Sequence, residues 1–149
     1  MTEGLDKLCE AFDKMPEVFY EERRELMEAA GEKMYRQVLK NIDADTKEKT
    51  GNLRAACYKH IGSRGGYAAV RNNHRKAPHA HLVEYGHKLV KGAKTKTGKR
   101  GQKVNVKGSG RAIGWVSGKH MYRNALNELE DELMQEAEAL ADRLVGDLF

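Results

Sequence analysis

The chain has 149 residues, enough for one ordinary domain that buries roughly two thirds of its unfolded surface and too few for a second independent core. A hydrophobic fraction of 40% against a charged fraction of 33% points to a modest core with long exposed faces, and no run of 18 apolar residues is present to span a membrane. The net charge of +5 is unevenly laid out: residues 1–48 carry −5, residues 49–123 carry +17 with Glu84 as their one acid, and residues 124–149 carry −7.

Met1-Thr2-Glu3-Gly4-Leu5-Asp6 lacks the basic-then-apolar order of a secretory signal, so a cytoplasmic start is expected. Residues 2–15 place Leu5, Leu8, Cys9 and Phe12 at helical spacing behind a Thr2 cap, and Pro16 is predicted to punctuate that helix. From Glu17 to about Ile42, Phe19, Leu26, Met27, Ala30, Met34, Val38 and Ile42 recur every three or four residues and predict one long helix, which Gly31 weakens slightly. A polar run around Thr46-Lys47-Glu48-Lys49 ends it.

Ala55–Ile61 and Tyr67–Arg71 flank Gly62-Ser63-Arg64-Gly65-Gly66 and predict a hairpin of two short strands. After Pro78, the segment from Ala80 to Tyr85 suits a short helix ended by Gly86, with an extended reading nearly as good. Residues 87–110 hold Lys, Gly, Thr and Val with no acid, which predicts a loop or a mobile hairpin. Ala112–Val116 offers a short apolar strand containing the only tryptophan, Trp115. From about Lys119 onward, Tyr122, Leu126, Leu129, Leu133, Ala137, Leu140, Leu144 and Leu148 define an amphipathic helix whose Glu-rich outer face suits basic partners in the chain or in a neighbour. No internal repeat is visible. The expected fold is α+β: a long N-terminal helix and a C-terminal amphipathic helix packed on a small antiparallel sheet, with a long basic loop. One domain, 1–149, then comprises an acidic helical region (1–48), a basic sheet and loop (49–118) and a C-terminal helix (119–149).

Few residues offer chemistry. His79-Ala80-His81 with His74 and His87 could gather three imidazoles for zinc, but Glu84 is the only nearby acid, and an adventitious cluster or subunit contact is the better reading. Cys57 and His60 are a nucleophile and a base with no orienting carboxylate in the local sequence, and Cys9 and Cys57 lack metal-knuckle or redox-pair spacing and read as two reduced thiols. The glycine runs at 62–66 and 108–110 lack a following lysine-serine or lysine-threonine pair and are turns rather than phosphate loops. The dominant signal is cationic. Lys88, Lys91, Lys94, Lys96, Lys99, Arg100, Lys103, Lys107 and Arg111 lie within 24 residues, with no aromatic among them, so any contact with nucleic acid would be to the phosphate backbone and indifferent to sequence. A free-standing nucleic-acid-binding protein is the alternative this footprint suggests.

Three segments in order, Thr50-Gly51-Asn52-Leu53-Arg54, His79-Ala80-His81-Leu82-Val83-Glu84-Tyr85-Gly86 and His120-Met121-Tyr122-Arg123-Asn124-Ala125-Leu126, resemble the small tail-component proteins of long-tailed bacteriophages, found at the neck where head and tail join. In that family they read as a TG-x-L-R lead-in to a small sheet, an A-x-x-V-E-Y/F-G core segment and a P-F-L/M-R-P-A start to the C-terminal helix. Here His87 replaces the usual threonine, and both prolines of the last motif are missing. The resemblance spans roughly residues 20–145.

What the resemblance implies is a non-enzymatic virion structural protein of the head-tail connection, with no cofactor and no metal, assembled in the host cytoplasm. It would form a ring, a hexamer, around the DNA channel and join tail to head. Its partners would be copies of itself, neighbouring neck and tail proteins and the backbone of packaged DNA, with no membrane. Thr50, Gly51, Leu53, Arg54, Glu84, Tyr85, Gly86, Tyr122, Arg123 and Ala125 are then structural, with Glu84 a partner for a nearby Arg or Lys, while the nine loop cations are candidate contacts to the DNA lumen or to a neighbouring subunit.

Overall fold

The computed structural model describes residues 2–46, 51–92, 94–106 and 109–146, with side chains from residue 16 onward except that of Asn105. Thr50, Lys107, Leu148 and the side chains of Leu5, Leu8, Cys9 and Phe12 therefore lie outside the described residues. Two compact units result, Met1–Pro78 with Met121–Phe149, and His79–His120.

The first unit is built on α1 (Thr2–Asp45), a single helix that runs through Pro16 where two helices were expected. Proline removes one backbone donor, and the residues on either side, rich in Glu, Lys, Met and Leu, are strong enough helix formers to continue past it. Gly51, in the left-handed region at φ 65°, opens the one-turn helix α2 (Asn52–Ala56), so the segment expected as strand from Ala55 first turns once as helix and buries Leu53 and Ala56. Strands β1 (Cys57–Ile61) and β2 (Ala68–Asn72) follow, paired antiparallel from Cys57 with Asn72 to Ile61 with Ala68. A turn of 3-10 helix at Ser63–Gly65 joins them, and the Gly62 N–H closes it by donating to the Tyr67 carbonyl at 2.8 Å.

This hairpin lies against α1, and Gly31 explains how closely. A Cβ at Gly31 would stand 3.0 Å from Ile61 Cδ1 and 3.2 Å from Ala68 Cβ, so the small residue that looked like a weak point in the helix is where the sheet seats. Gly65 does the same at the turn, where a Cβ would meet the Arg24 Cα at 2.5 Å.

Helix α4 (Met121–Gly146) runs antiparallel along α1. The direction is fixed by the polar pairs between the two helices. Arg143 bonds Glu22, Lys33 donates to Glu132 at 2.6 Å and also bonds Glu136, Gln37 bonds Glu128, and the Asn41 side-chain amide donates to the Met121 carbonyl at 3.2 Å. The two carboxylates hold the Lys33 ammonium above its ordinary range, and hydrogen bonds from Lys59 and then Arg36 hold the Glu32 carboxyl below its own. Among the described residues, the buried apolar side chains of this unit are Val38, Ile42, Leu53, Ala56, Cys57, Ala77, Met121 and Ala125.

The second unit begins with α3 (Ala80–Tyr85) and continues as two nested hairpins. Strands β3 (Gly86–Lys91) and β6 (Arg111–Ser117) form the outer pair, and β4 (Thr95–Thr97) and β5 (Lys103–Asn105) the inner one. Of the two readings of residues 87–110, the structure shows paired strands. The α3 end is tied down by the chain leaving β6: the Lys119 and His120 N–H groups donate to the Val83 and Glu84 carbonyls at 2.8 and 3.1 Å. Among the described residues no helix is long and apolar enough to cross a membrane.

Candidate assembly surface

In an antiparallel pair, side chains alternate between faces and cross-strand partners share one. The register therefore puts Lys88 and Trp115 on one face of the β3–β6 ribbon. Leu89 opposite Gly114 and His87 opposite Val116 occupy the other. Ile113 is skipped by the register and is the extra residue of a bulge on β6, so past it Val90 and Ala112 fall on the Trp115 side and Lys91 and Arg111 on the Leu89 side.

Neither face is covered. Every residue of β6 is exposed, with Ile113 at 54% and Trp115 at 60%, and Leu89, Val90 and Val116 are exposed as well. An isolated two-stranded ribbon is marginally stable in water, and this one leaves a tryptophan and four aliphatic side chains open to solvent.

The inner hairpin extends this cationic surface without apolar support. Lys96 lies on β4, Lys99 and Arg100 in the turn and Lys103 on β5, all exposed. The turn is rigidly bonded: the Gly98 N–H donates to the Gln102 carbonyl at 2.7 Å, and Gln102 Oε1 accepts the Arg100 N–H at 3.1 Å. Lys94 joins the two hairpins through its main chain, its N–H donating to Ser109 Oγ at 3.0 Å and its carbonyl accepting the Val106 N–H at 2.7 Å. Of the nine cations singled out in the sequence, eight are thus arrayed on one exposed arm, and Lys107 lies outside the described residues. No acid occurs in the sequence between Glu84 and Glu128.

The residues of the three motifs have structural places. Gly51 starts α2, Leu53 is buried, and Arg54 pairs with Asp43 at the end of α1. Glu84 is 6% exposed and is not without a partner, Tyr85 is exposed, and Gly86 adopts φ 80°, ψ 174°, a conformation open in practice only to glycine. Met121 and Ala125 are fully buried at the start of α4, where Tyr122 hydrogen-bonds Cys57 and Arg123 is exposed. Met121 was not among the residues singled out. Its zero exposure had no sequence signal beyond its place at the head of the periodic run.

Among the described residues no three His, Cys, Asp or Glu side chains gather as a metal would need. Burial pushes the Cys57 thiol above its ordinary range, against smaller opposing effects of the Tyr122 hydrogen bond and the Arg54 charge. A thiol raised in the folded state contributes stability that is complete below the unfolded value of about 8.5 and is lost as pH rises through the folded value. Denaturant titrations at about pH 8 and about pH 10 should therefore show the wild type losing more stability over that interval than Cys57→Ala. Equal losses would mean that the thiol is as well solvated folded as unfolded.

The model of one protein family, described as "Bacteriophage HK97-gp10, putative tail-component", matches residues 6–86. The match takes in α1, α2, the β1–β2 hairpin and α3, and it stops at Gly86, where the cationic ribbon starts. No curated protein and no solved structure matches the chain.

Proposed function

The chain belongs to the HK97-gp10-like family of bacteriophage tail components, and from that premise we propose that it is a structural protein of the head-tail connection that closes into a ring around the DNA channel and joins tail to head. The observation that carries this reading is the exposed arm of β3 to β6, cationic along its length and apolar on both faces at its base. A surface of that kind serves binding, and its charge suits a subunit that meets an acidic neighbour or packaged DNA. The motif residues, including Glu84, serve the fold. Localisation in the virion follows from the family. A hexamer is the ring size we propose, with self-assembly in the host cytoplasm and neighbouring neck and tail proteins above and below.

Particle assembly tests this. In a phage deleted for the gene, complementation with the wild-type chain should restore joined, infectious particles, and the variant with Lys94, Lys96, Lys99 and Lys103 replaced by serine should restore far fewer. The same variant should keep a melting temperature close to wild type, because exposed substitutions move stability by less than about 0.5 kcal/mol. Full complementation by the serine variant would remove the arm from the function, and heads and tails that join normally without the protein would remove the joining role.

The cations favour one second reading, a free-standing protein that binds nucleic acid without regard to sequence. It requires tight binding of duplex by the monomer, with an affinity that falls steeply as salt rises.

A further inference from the structure

We propose that Trp115 of one copy of the chain seats in an apolar groove that α1, β2 and α4 line in a second copy, with Lys88 beside the tryptophan meeting Glu130 at the rim of the groove. The proposal rests on the ring reading above and supplies that ring with a knob and a socket.

The socket arises from small side chains. Gly31 lets the β1–β2 hairpin sit close on α1, but Ala30 and Ala69 are short, and a groove of about 220 Å³ is left, lined also by Leu26 of α1 and by Leu126 and Leu133 of α4. An apolar cavity of about 150 Å³ holds a benzene molecule, so this one has room for the two fused rings of an indole. Leu126 stands 51% exposed at its edge. Glu130 falls four residues after Leu126 and three before Leu133, which puts it on the groove side of α4. It is exposed and in no ion pair among the described residues.

The knob is the chain's only tryptophan, 60% exposed on β6. The register sets Lys88 directly across from Trp115 on the same face, and Val90 and Ala112 continue that face past the bulge. Lys88 too is in no ion pair among the described residues. Knob and socket agree in size, in polarity and in sign: an uncovered indole answers an unfilled apolar space, and the unpaired cation beside the first answers the unpaired acid beside the second. Tryptophan in a desolvated pocket is a common anchor of protein interfaces. A DNA backbone would engage Lys88 and leave both the indole and the groove in water.

Because the two surfaces are unlike and each copy carries both, the contact runs from copy to copy and closes when the rotation allows, as a ring requires. As the only tryptophan, Trp115 reports its own surroundings in the full wild-type chain. Its emission should be that of a water-exposed indole at concentrations where sedimentation velocity shows monomer, and should move to shorter wavelength, with loss of acrylamide quenching, as the chain associates. Trp115→Ala on the knob, and Ala137→Phe, which fills the groove from the α4 side, should each weaken self-association by roughly tenfold or more. Their equimolar mixture keeps one knob and one socket per pair, so it should form dimers and nothing larger. Lys88→Glu and Glu130→Lys should each weaken association by roughly threefold or more, and the two together should restore most of the loss. Far-ultraviolet circular dichroism melts confirm that each variant is folded, and the wild-type emission depends on no variant at all.

Rings that form normally in Trp115→Ala or Ala137→Phe, a mixture of the two that forms no dimer, or association that leaves the Trp115 emission unchanged overturns the inference while leaving the ring reading intact. Emission already at shorter wavelength in the monomer overturns it as well, because the indole is then covered within its own chain. Duplex binding, measured by fluorescence polarisation on the same samples, separates the remaining occupant: if Lys88→Glu abolishes it and leaves self-association unchanged, the face is a DNA contact and the inference is overturned. A wild-type chain that stays monomeric at every concentration also overturns it, and the tail role is then judged on particle complementation alone.

Discussion

Replacing Gly118 by alanine should destabilise the His79–His120 unit by about 3 to 5 kcal/mol, among the largest effects a single methyl can have. A Cβ at this position would collide with the Glu84 carbonyl oxygen and stand 2.6 Å from the Tyr85 carbonyl carbon and 2.8 Å from that of Glu84. All three are backbone atoms at the end of α3, so no side chain can rotate aside. Relief requires α3 and the β6 end to part, which breaks the adjacent bonds from Lys119 and His120 to the Val83 and Glu84 carbonyls. Gly86→Ala should act in the same direction, because its Cβ would meet the Val116 carbonyl oxygen and its φ of 80° already disfavours a side chain. Gly114→Ala is the control: nothing lies within 4 Å of its Cβ, and it should stay within about 0.5 kcal/mol of wild type. Urea denaturation of the three variants decides the matter, and a Gly118→Ala protein as stable as Gly114→Ala would mean that α3 and β6 do not approach so closely.

Truncating Met121 should be the most damaging change in the other unit, at about 2 to 5 kcal/mol for Met121→Ala. Its side chain has no exposure at all, it is one of the two largest fully buried side chains with Val38, and its carbonyl receives the buried Asn41 amide. The neighbouring Leu126 has a similar apolar volume and lies on the same helix but is 51% exposed, so Leu126→Ala should cost well under half as much. Thermal unfolding of the pair separates burial from helix propensity, since alanine is favourable in both helical positions. Equal losses would place the core elsewhere along α4.

Periodicity carried the helices. The run from Phe19 to Ile42 and the run from Tyr122 to Leu144 lie where the 3.6-residue spacing predicts, and the α3 helix with its Gly86 stop and the β1–β2 hairpin are close to expectation. What periodicity cannot register is the approach of one backbone to another. Gly31 has the same helix propensity cost whether or not a hairpin sits on it, and Gly118 carries no pattern at all, yet both are contact points. Pro16 and Ala55 misled for a related reason: local punctuation was outweighed by the flanking helix formers in one case and by the left-handed Gly51 in the other.

The surface was legible in half. The nine cations stood out by composition, and eight of them lie on the exposed arm. Their apolar companions did not, because Ala112–Val116 reads as an ordinary strand, and only the absence of a third layer over the ribbon makes Ile113 and Trp115 a surface feature. The acidic helices were expected to supply partner charge to the basic centre. Part of that charge is instead spent between α1 and α4, through Lys33 and Arg143, and part does reach the centre, through Lys59 with Glu32 and Arg54 with Asp43.

The antiparallel pairing of α1 with α4 also sets an order of events during synthesis. Asn41 waits 80 residues for the Met121 carbonyl and Glu22 waits 121 for Arg143, so the contacts that complete the first unit are among the most distant in the chain, and such loops are slow to close. On the ribosome α1 can acquire the β1–β2 hairpin early, and the arm can emerge and pair, while Val38 and Ile42 still lack their helical cover. A nascent chain halted before residue 121 would therefore present its paired cationic ribbon while Val38 and Ile42, buried in the complete chain, still stood open to solvent.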